Sequence, residues 1–253
     1  MNVPVPALRA EALRYRIRGL EVVCGFGFEL QSGQVLGLIG PNGAGKTTAI
    51  DLLSGFSAPE SGRVFVCGRD VTRWPSHRRC RAGLARTFQG APAIAGLTVA
   101  EHLRLASEAT GHRPLVMRLS PAELLGRLGL AALRDLRGED LPVPERHLLD
   151  LARALATRPA ALLLDEPFSG LEHGQVELVL DEIRQAAAGG MGILVVDHRL
   201  GLLVHAVQSA IVLVEGRELV AGTMQDILRN PAVQEAYLGT PVGAEPSPRE
   251  ALP

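Results

Sequence analysis

Lysine is almost missing from this chain. Of 26 basic residues in 253, 25 are arginine and one, Lys46, is lysine. Cysteine is scarce as well: Cys24, Cys67 and Cys80 are an odd, widely separated set without CxxC spacing. That excludes a zinc site or a redox pair built from them and makes them reduced, buried packing residues. Long apolar runs are lacking, because the stretches at 160–164 and 192–196 fall far short of the roughly 20 residues that cross a bilayer as a helix. The chain is therefore not expected to span a membrane by itself. Its opening, MNVPVPALRAEALRYRIRG, has neither a continuous apolar core nor a small-residue cleavage site, so a cytoplasmic address is expected rather than secretion. Excess charge of one sign is missing too. A net charge of −1 argues against a generic binder of nucleic-acid backbone, which carries a basic surplus.

What remains is ordinary globular composition, 47% hydrophobic and 21% charged, at a length that suits one large domain or two small ones. One basic cluster stands out: Arg73, His77, Arg78, Arg79, Arg81 and Arg86. Such runs are usually solvated faces, with a docking surface as the alternative.

The apolar run QVLGLI at 34–39 leads into a glycine-rich turn, after which KTTAIDLLS at 46–54 carries apolar residues at helical spacing. Strand, loop and helix follow one another. Two more strand-length apolar runs, 160–164 and 192–196, bracket a helical pattern at 175–188. Alternating strands and helices predict a parallel sheet covered on both faces, with ligands at the carboxyl ends of its strands. Gly40, Asp165 and His198 all fall at such ends. Between 98 and 158 the character changes to Leu-, Ala- and Arg-rich helical patterns broken by glycine and proline, which reads as a helical insertion. Stretches at 29–39, 63–67 and 217–220 read as strands of flanking antiparallel hairpins. The ending GTPVGAEPSPREALP is rich in Pro and Gly and predicts a disordered tail.

Gly40, Pro41, Asn42, Gly43, Ala44, Gly45, Lys46, Thr47 and Thr48 fit the pattern GxxxxGK[ST]. In that pattern the backbone N–H groups of the loop surround phosphates, the lysine reaches the β and γ groups and the hydroxyl after it binds Mg²⁺. A compact ammonium fits such a cradle better than a planar guanidinium, which gives the lone lysine its reason. LLLDE at 162–166 is a buried strand delivering two carboxylates at its exposed end. That placement suits Asp165 to hold Mg²⁺ and Glu166 to polarise an attacking water. His198, just past 192–196, is placed to hydrogen-bond a γ-phosphate, although a lone histidine is more often a satisfied structural residue.

The phosphate loop, then Arg86-Thr87-Phe88-Gln89, a helical insert, Leu164-Asp165-Glu166-Pro167, Ser169-Gly170-Leu171-Glu172 and Asp197-His198 together resemble an ABC ATPase cassette. The resemblance spans about 19–239. It implies an α/β P-loop NTPase fold with a RecA-like parallel-sheet core, an antiparallel β subdomain and a helical subdomain. One domain over 1–239 is expected, its core at about 20–90 and 158–239, its helical insert at about 91–157, and its tail at 240–253. By the same resemblance Gln89 is the Q-loop residue that touches Mg²⁺ and the transmembrane partner, 169–172 form the D-loop and His198 is the switch histidine. Catalysis would then rest on Glu166, His198 and Gln89, the metal on Thr47, Gln89 and Asp165, with ATP and Mg²⁺ as the bound groups. More narrowly, LTV before Glu101, LDLARALA at 149–156 and the ending NPAVQEAYLG at 230–239 resemble subunits of branched-chain amino-acid importers, a pattern shared with urea and short-amide importers.

Two departures carry weight. The ABC signature falls on Leu141-Pro142-Val143-Pro144-Glu145-Arg146-His147, so its central glycine is Pro144 and the following Gln and Arg are lost. Proline has no N–H to offer a γ-phosphate and is expected to reshape the loop. The aromatic residue that stacks on adenine falls at Ile17, with Tyr15 the nearest substitute. In this family each ATP lies between the phosphate loop of one cassette and the signature of another. The resemblance therefore implies a heterodimer with a second ABC ATPase subunit whose signature is intact, transmembrane permease subunits as partners, and a periplasmic solute-binding protein indirectly. No nucleic-acid partner is expected. The implied place is the cytoplasmic face of the inner membrane, bound peripherally. A soluble or export-type ABC ATPase and a non-hydrolysing regulatory subunit are the alternatives.

Overall fold

The computed structural model describes residues 5–88, 93–109, 120–197 and 199–238. Gln89, His198 and the tail expected at 240–253 lie outside the described residues. The strands are β1 (Leu8–Ile17), β2 (Leu20–Leu30), β3 (Val35–Ile39), β4 (Ser61–Val66), β5 (Arg69–Asp70), β6 (Leu84–Arg86), β7 (Ala161–Asp165), β8 (Gly192–Val196), β9 (Ser209–Val214) and β10 (Arg217–Thr223). The helices are α1 (Lys46–Ser54), α2 (Ser76–Ala82), α3 (Val99–Ala109), α4 (Pro121–Arg127), α5 (Val143–Ala156), α6 (His173–Ala188), α7 (Leu200–Ala206), α8 (Met224–Arg229) and α9 (Pro231–Leu238).

Six strands form the core sheet in the order β10-β9-β3-β8-β7-β6. Neighbours from β9 to β6 pair in parallel, and β10 closes one edge antiparallel to β9. The inner strands are continuous apolar runs because helices and a second sheet cover both faces. β3 and β8 are buried throughout. Register fixes the functional edge: Val196 of β8 lies opposite Leu38 of β3 and Asp165 of β7. The residues that follow these three strands therefore emerge side by side.

The second sheet, β2-β1-β4-β5, is antiparallel. Its strands and the β9–β10 pair turn through two-residue loops, Arg18 with Gly19, Cys67 with Gly68, and Glu215 with Gly216, all at positive φ. That geometry matches strand twist in tight hairpins. The sequence reading at 29–39 is corrected here. Gly33, at φ 78°, turns the chain between β2 and β3, and β3 enters the core sheet instead of a hairpin. Likewise Cys67 stands in a turn and is exposed, not a buried filler, while Cys24 and Cys80 are half-buried.

Among the described residues between β6 and β7, helices α3, α4 and α5 pack on one another around Leu103, Leu124, Leu125, Leu148 and Leu149. α4 starts with a capping box between Ser120 and Glu123 and with Pro121 in its first turn, the signals that begin a helix sharply. One apolar layer joins these helices, α6 and α7 to the core sheet; another, around Ile50, Leu52, Leu53 and Phe26, fills the space between the two sheets. No helix among the described residues is long and apolar enough to cross a membrane.

Candidate active site

The loop at 40–48 sits where β3 gives way to α1. Gly40 has φ 154°, and a Cβ there would lie 2.1 Å from the Leu213 carbonyl oxygen; at Gly45, φ 96°, it would lie 2.5 Å from that of Val22. Both positions therefore demand glycine. The loop is braced from behind, since the Gly216 amide donates to the Ala44 carbonyl at 3.0 Å and the Cys24 amide to the Gly216 carbonyl at 2.8 Å. Gly45 stands at the N-cap of α1 without a side-chain cap, so the helix N-terminus is presented to an anion.

Lys46 Nζ donates to the carbonyls of Gly40 at 2.6 Å and Pro41 at 2.9 Å. Burial pulls its pKa below the usual value, while Glu166 and Asp165 push the other way. Thr47 is exposed and Thr48 half-buried. The donor set of a threonine hydroxyl and an aspartate carboxylate at the mouth of a glycine cradle suits a hard, oxygen-seeking cation shared with phosphate. Among the described residues there is no cluster of three or more His, Cys, Asp or Glu that could hold a metal ion.

Asp165 ends β7, and Arg86 reaches it from β6: its Nη2 lies 3.1 Å from Asp165 Oδ2, and its Nη1 lies 2.5 Å from Asp51 Oδ1 on α1. Arg86 is only 9% exposed in its side chain and lies over the rings of Phe88 and Phe56, which meet edge to face at 5.2 Å. Burial raises the Asp165 pKa, and Arg86 opposes that shift. In the sequence Arg86 stands in a motif and in a basic cluster, with no sign of its pairing with Asp165. Nothing local reveals a contact across 79 residues.

Glu166 adopts a left-handed conformation at φ 49°, a strained state for a non-glycine residue that persists where surrounding bonds hold it. Its amide donates to the Val196 carbonyl at 2.7 Å, and the Ser169 amide donates to its carbonyl at 3.0 Å. Asp197 is fully buried and its Oδ1 accepts from the Arg199 amide at 2.9 Å. Thus the structure brings the 40–48 loop, Asp165 and Glu166 to one edge, with Asp197 beside them. A cavity of about 20 Å³ beside Glu166 is lined by Thr87, His147, Asp150 and Asp165 among others, room for one water.

Tyr15 is half-buried against the core between the sheets, whereas Ile17 and its hairpin partner Leu20 are exposed at 46% and 72%. Of the basic cluster, Arg79 is 1% exposed and Arg86 belongs to the site, while Arg73, His77, Arg78 and Arg81 are exposed. Pro144 occupies the first turn of α5, after N-cap Pro142, where a helix needs no amide donor and proline's φ is already suitable. The segment is a regular helix start, and what Pro144 takes from it is a donor. Pro144 has none and the Arg146 amide already donates to the Pro142 carbonyl at 3.1 Å, so the first turn keeps only the amides of Val143 and Glu145 for an outside anion.

Comparison with known proteins agrees with this geometry. Residues 24–169 match the family model described as ABC transporter, and residues 219–242 match one described as branched-chain amino acid ATP-binding cassette transporter. The chain is 36% identical over 232 residues to a lipopolysaccharide export system ATP-binding protein of Acidithiobacillus ferridurans, covering 92% of this chain and 96% of that protein. It is 32% identical over 244 residues to a probable branched-chain amino acid transport ATP-binding protein of Archaeoglobus fulgidus, covering 92% and 95%. An ATP-binding cassette of an ABC transporter solved in its ADP conformation superposes with a TM-score of 0.80 at 26% identity, covering 93% of this chain and 99% of that one. With a phosphate loop, an acidic strand end and an α/β cassette fold joined in one site, the chain belongs to the ABC transporter family of ATP-binding, ATP-hydrolysing subunits.

Proposed function

We propose that this chain powers a membrane importer for branched-chain amino acids or a related small solute such as urea, working as a peripheral subunit on the cytoplasmic face of the inner membrane. The observation that carries the reading is the match of residues 219–242, from β10 through α9, to the branched-chain cassette model. A second reading, an export ATPase, is favoured by the 36% identity to a lipopolysaccharide export subunit.

In either case the division of labour among residues is the same. Mg²⁺, when bound with ATP, supplies positive charge to the phosphate oxygens. The amides of the loop at 40–48 and Lys46 would hold the phosphates; Thr47 and Asp165, with Gln89, would hold the metal; Glu166 would polarise the attacking water and His198 would sense the γ-phosphate. Arg86 keeps Asp165 in place at 3.1 Å.

The permease would dock in a groove of about 270 Å³ between the core and the helical segment, lined by Phe56, Cys80, Phe88, Ala106 and Arg153 among others. Phe56 and Phe88 are exposed there, which suits an apolar partner surface. Because α5 presents a donor-poor first turn with Pro144 in it, the second cassette would be a different chain with an intact signature, giving one hydrolytic and one degenerate site.

The test is reconstitution of this chain with its partner cassette and permeases in liposomes. Turnover stimulated by a binding protein loaded with a branched-chain amino acid or urea supports import. Turnover raised by lipopolysaccharide and indifferent to loaded binding proteins would move the chain to the export reading.

A further inference from the structure

We propose that the N-terminal end of α5 acts as an intramolecular clamp on the catalytic turn of its own chain, with His147, the fifth residue of the helix, as the positioning residue. The inference rests on the ATPase reading of Glu166 and deepens it. Three residues at this end of the helix depart from the pattern its family resemblance implies: Pro144, Arg146 and His147. Pro144 removes an outward amide donor, whereas the side chains of Glu145 and His147 make bonds within the chain.

His147 Nδ1 lies 2.7 Å from the Ser169 carbonyl oxygen. A carbonyl only accepts, so Nδ1 carries the proton and donates. Ser169 in turn donates its amide to the Glu166 carbonyl at 3.0 Å. A two-bond chain thus runs from α5 to the residue held at φ 49°. The far end of the same turn is gripped as well. Glu145 Oε1 accepts from Gln175 Nε2 at 3.2 Å, and Gln175 Oε1 accepts from the Glu172 amide at 3.1 Å. Residues 169–172 are therefore bonded to one helical turn at both ends, directly at Ser169 and through Gln175 at Glu172.

Bonds of this kind make the helical segment and the catalytic turn move together. A non-glycine residue in the left-handed region needs its surroundings to hold it there, and the clamp supplies part of that support. The ring of His147 also lines the small cavity shared with Asp150, Asp165 and Glu166, so its loss would loosen the turn on the side facing the chemistry. A turn poor in donors to a foreign nucleotide would in this way still serve its own chain's Glu166.

Hydrogen exchange on the full chain, comparing wild type, His147→Leu and His147→Asn, tests the clamp without requiring turnover. Amides at 166 and 168–172 are expected to exchange about five- to ten-fold faster in His147→Leu, as for loss of one hydrogen bond. They should return to within two-fold of wild type in His147→Asn, whose amide nitrogen can donate from near the Nδ1 position. In the reconstituted complex kcat should fall about five-fold or more in His147→Leu, with KM for ATP within two-fold, and recover in His147→Asn. Unchanged exchange in His147→Leu, or Asn behaving as Leu does, overturns the proposal. So does uniform acceleration across every peptide, which would make the contact one of general packing. If exchange follows the prediction while the wild-type complex hydrolyses no ATP, the clamp stands and the ATPase reading of this site fails.

Discussion

Replacing Pro144 with glycine should raise activity and lower stability at once, and the opposite signs make the test sharp. α5 begins at Val143, with Pro142 as its N-cap and Pro144 inside the first turn. The Arg146 amide is already committed to the Pro142 carbonyl at 3.1 Å, so the turn offers two amides where glycine at 144 would offer a third. A hydrogen bond from an amide to a charged phosphate is worth about 1.5–3 kcal/mol. In rate terms that is about 10- to 150-fold if the bond forms in the transition state. Losing proline from a first turn whose φ it already satisfies costs about 1 kcal/mol through the unfolded state. In the proposed pairing, the turnover is read at the site this turn would complete with the partner cassette's phosphate loop. The assay is therefore ATP turnover of the assembled complex in a Glu166→Gln background, which by the proposed role of Glu166 silences this chain's own site, with and without Pro144→Gly. A rise of about ten-fold or more, beside a lower melting temperature, supports the donor account. A lower melting temperature with no gain in turnover would refute it, because the missing amide would then not be what disables that site.

Other perturbations separate the remaining roles. Lys46→Arg should weaken ATP binding about as much as Lys46→Ala, on the order of ten-fold or more, measured by equilibrium binding. The cradle holds a compact ammonium, and a guanidinium is too broad for it. Arg79→Leu should cost about 3–5 kcal/mol in chemical denaturation. Its guanidinium, with a pKa pushed down to about 10 by burial, donates to the carbonyls of Leu52, Leu53, Thr72 and Trp74, all of which would lose that donor. Glu182 is buried beside Arg127 at 2.8 Å, and desolvation raises its pKa above the usual 4.5 despite the pairing. The native state therefore holds this proton more tightly than the unfolded chain, and stability falls as pH rises upward from about 4.5 through the raised native value. Glu182→Gln should flatten that part of the profile of melting temperature against pH.

The parts of the site that were legible in the sequence are those written in adjacent residues. The loop at 40–48 and the LLLDE strand end carry their chemistry in local patterns, and the apolar runs at 34–39, 160–164 and 192–196 mark inner strands that are buried on both faces. What stayed hidden depends on distance or on broken periodicity. β1 alternates only as far as Ala12, whose φ of 47° interrupts the register against β2 and β4, so a ten-residue strand hides its period of two. Arg79 looks like its neighbours in a basic run, yet only tertiary packing shows that it closes the end of α1 through the carbonyls of Leu52 and Leu53. The bond from His147 to Ser169 joins positions 22 residues apart, and no spacing rule selects that pair. Pro144 shows the reverse case. The residue was legible as a lost donor, but whether it distorts the segment depended on its place in a helix, which proved to be the first turn.

The central claim is that this chain's own phosphate loop and Glu166 form a working hydrolytic site in a complex with a second, different cassette. The most direct measurement is ATP hydrolysis by the chain alone and then with its partner cassette and permeases, each with and without Glu166→Gln. Activity that appears only in the mixture and vanishes with Glu166→Gln is the predicted result. Undiminished activity of the mutant complex would contradict it, placing the chemistry in the partner and leaving this chain a nucleotide-binding subunit.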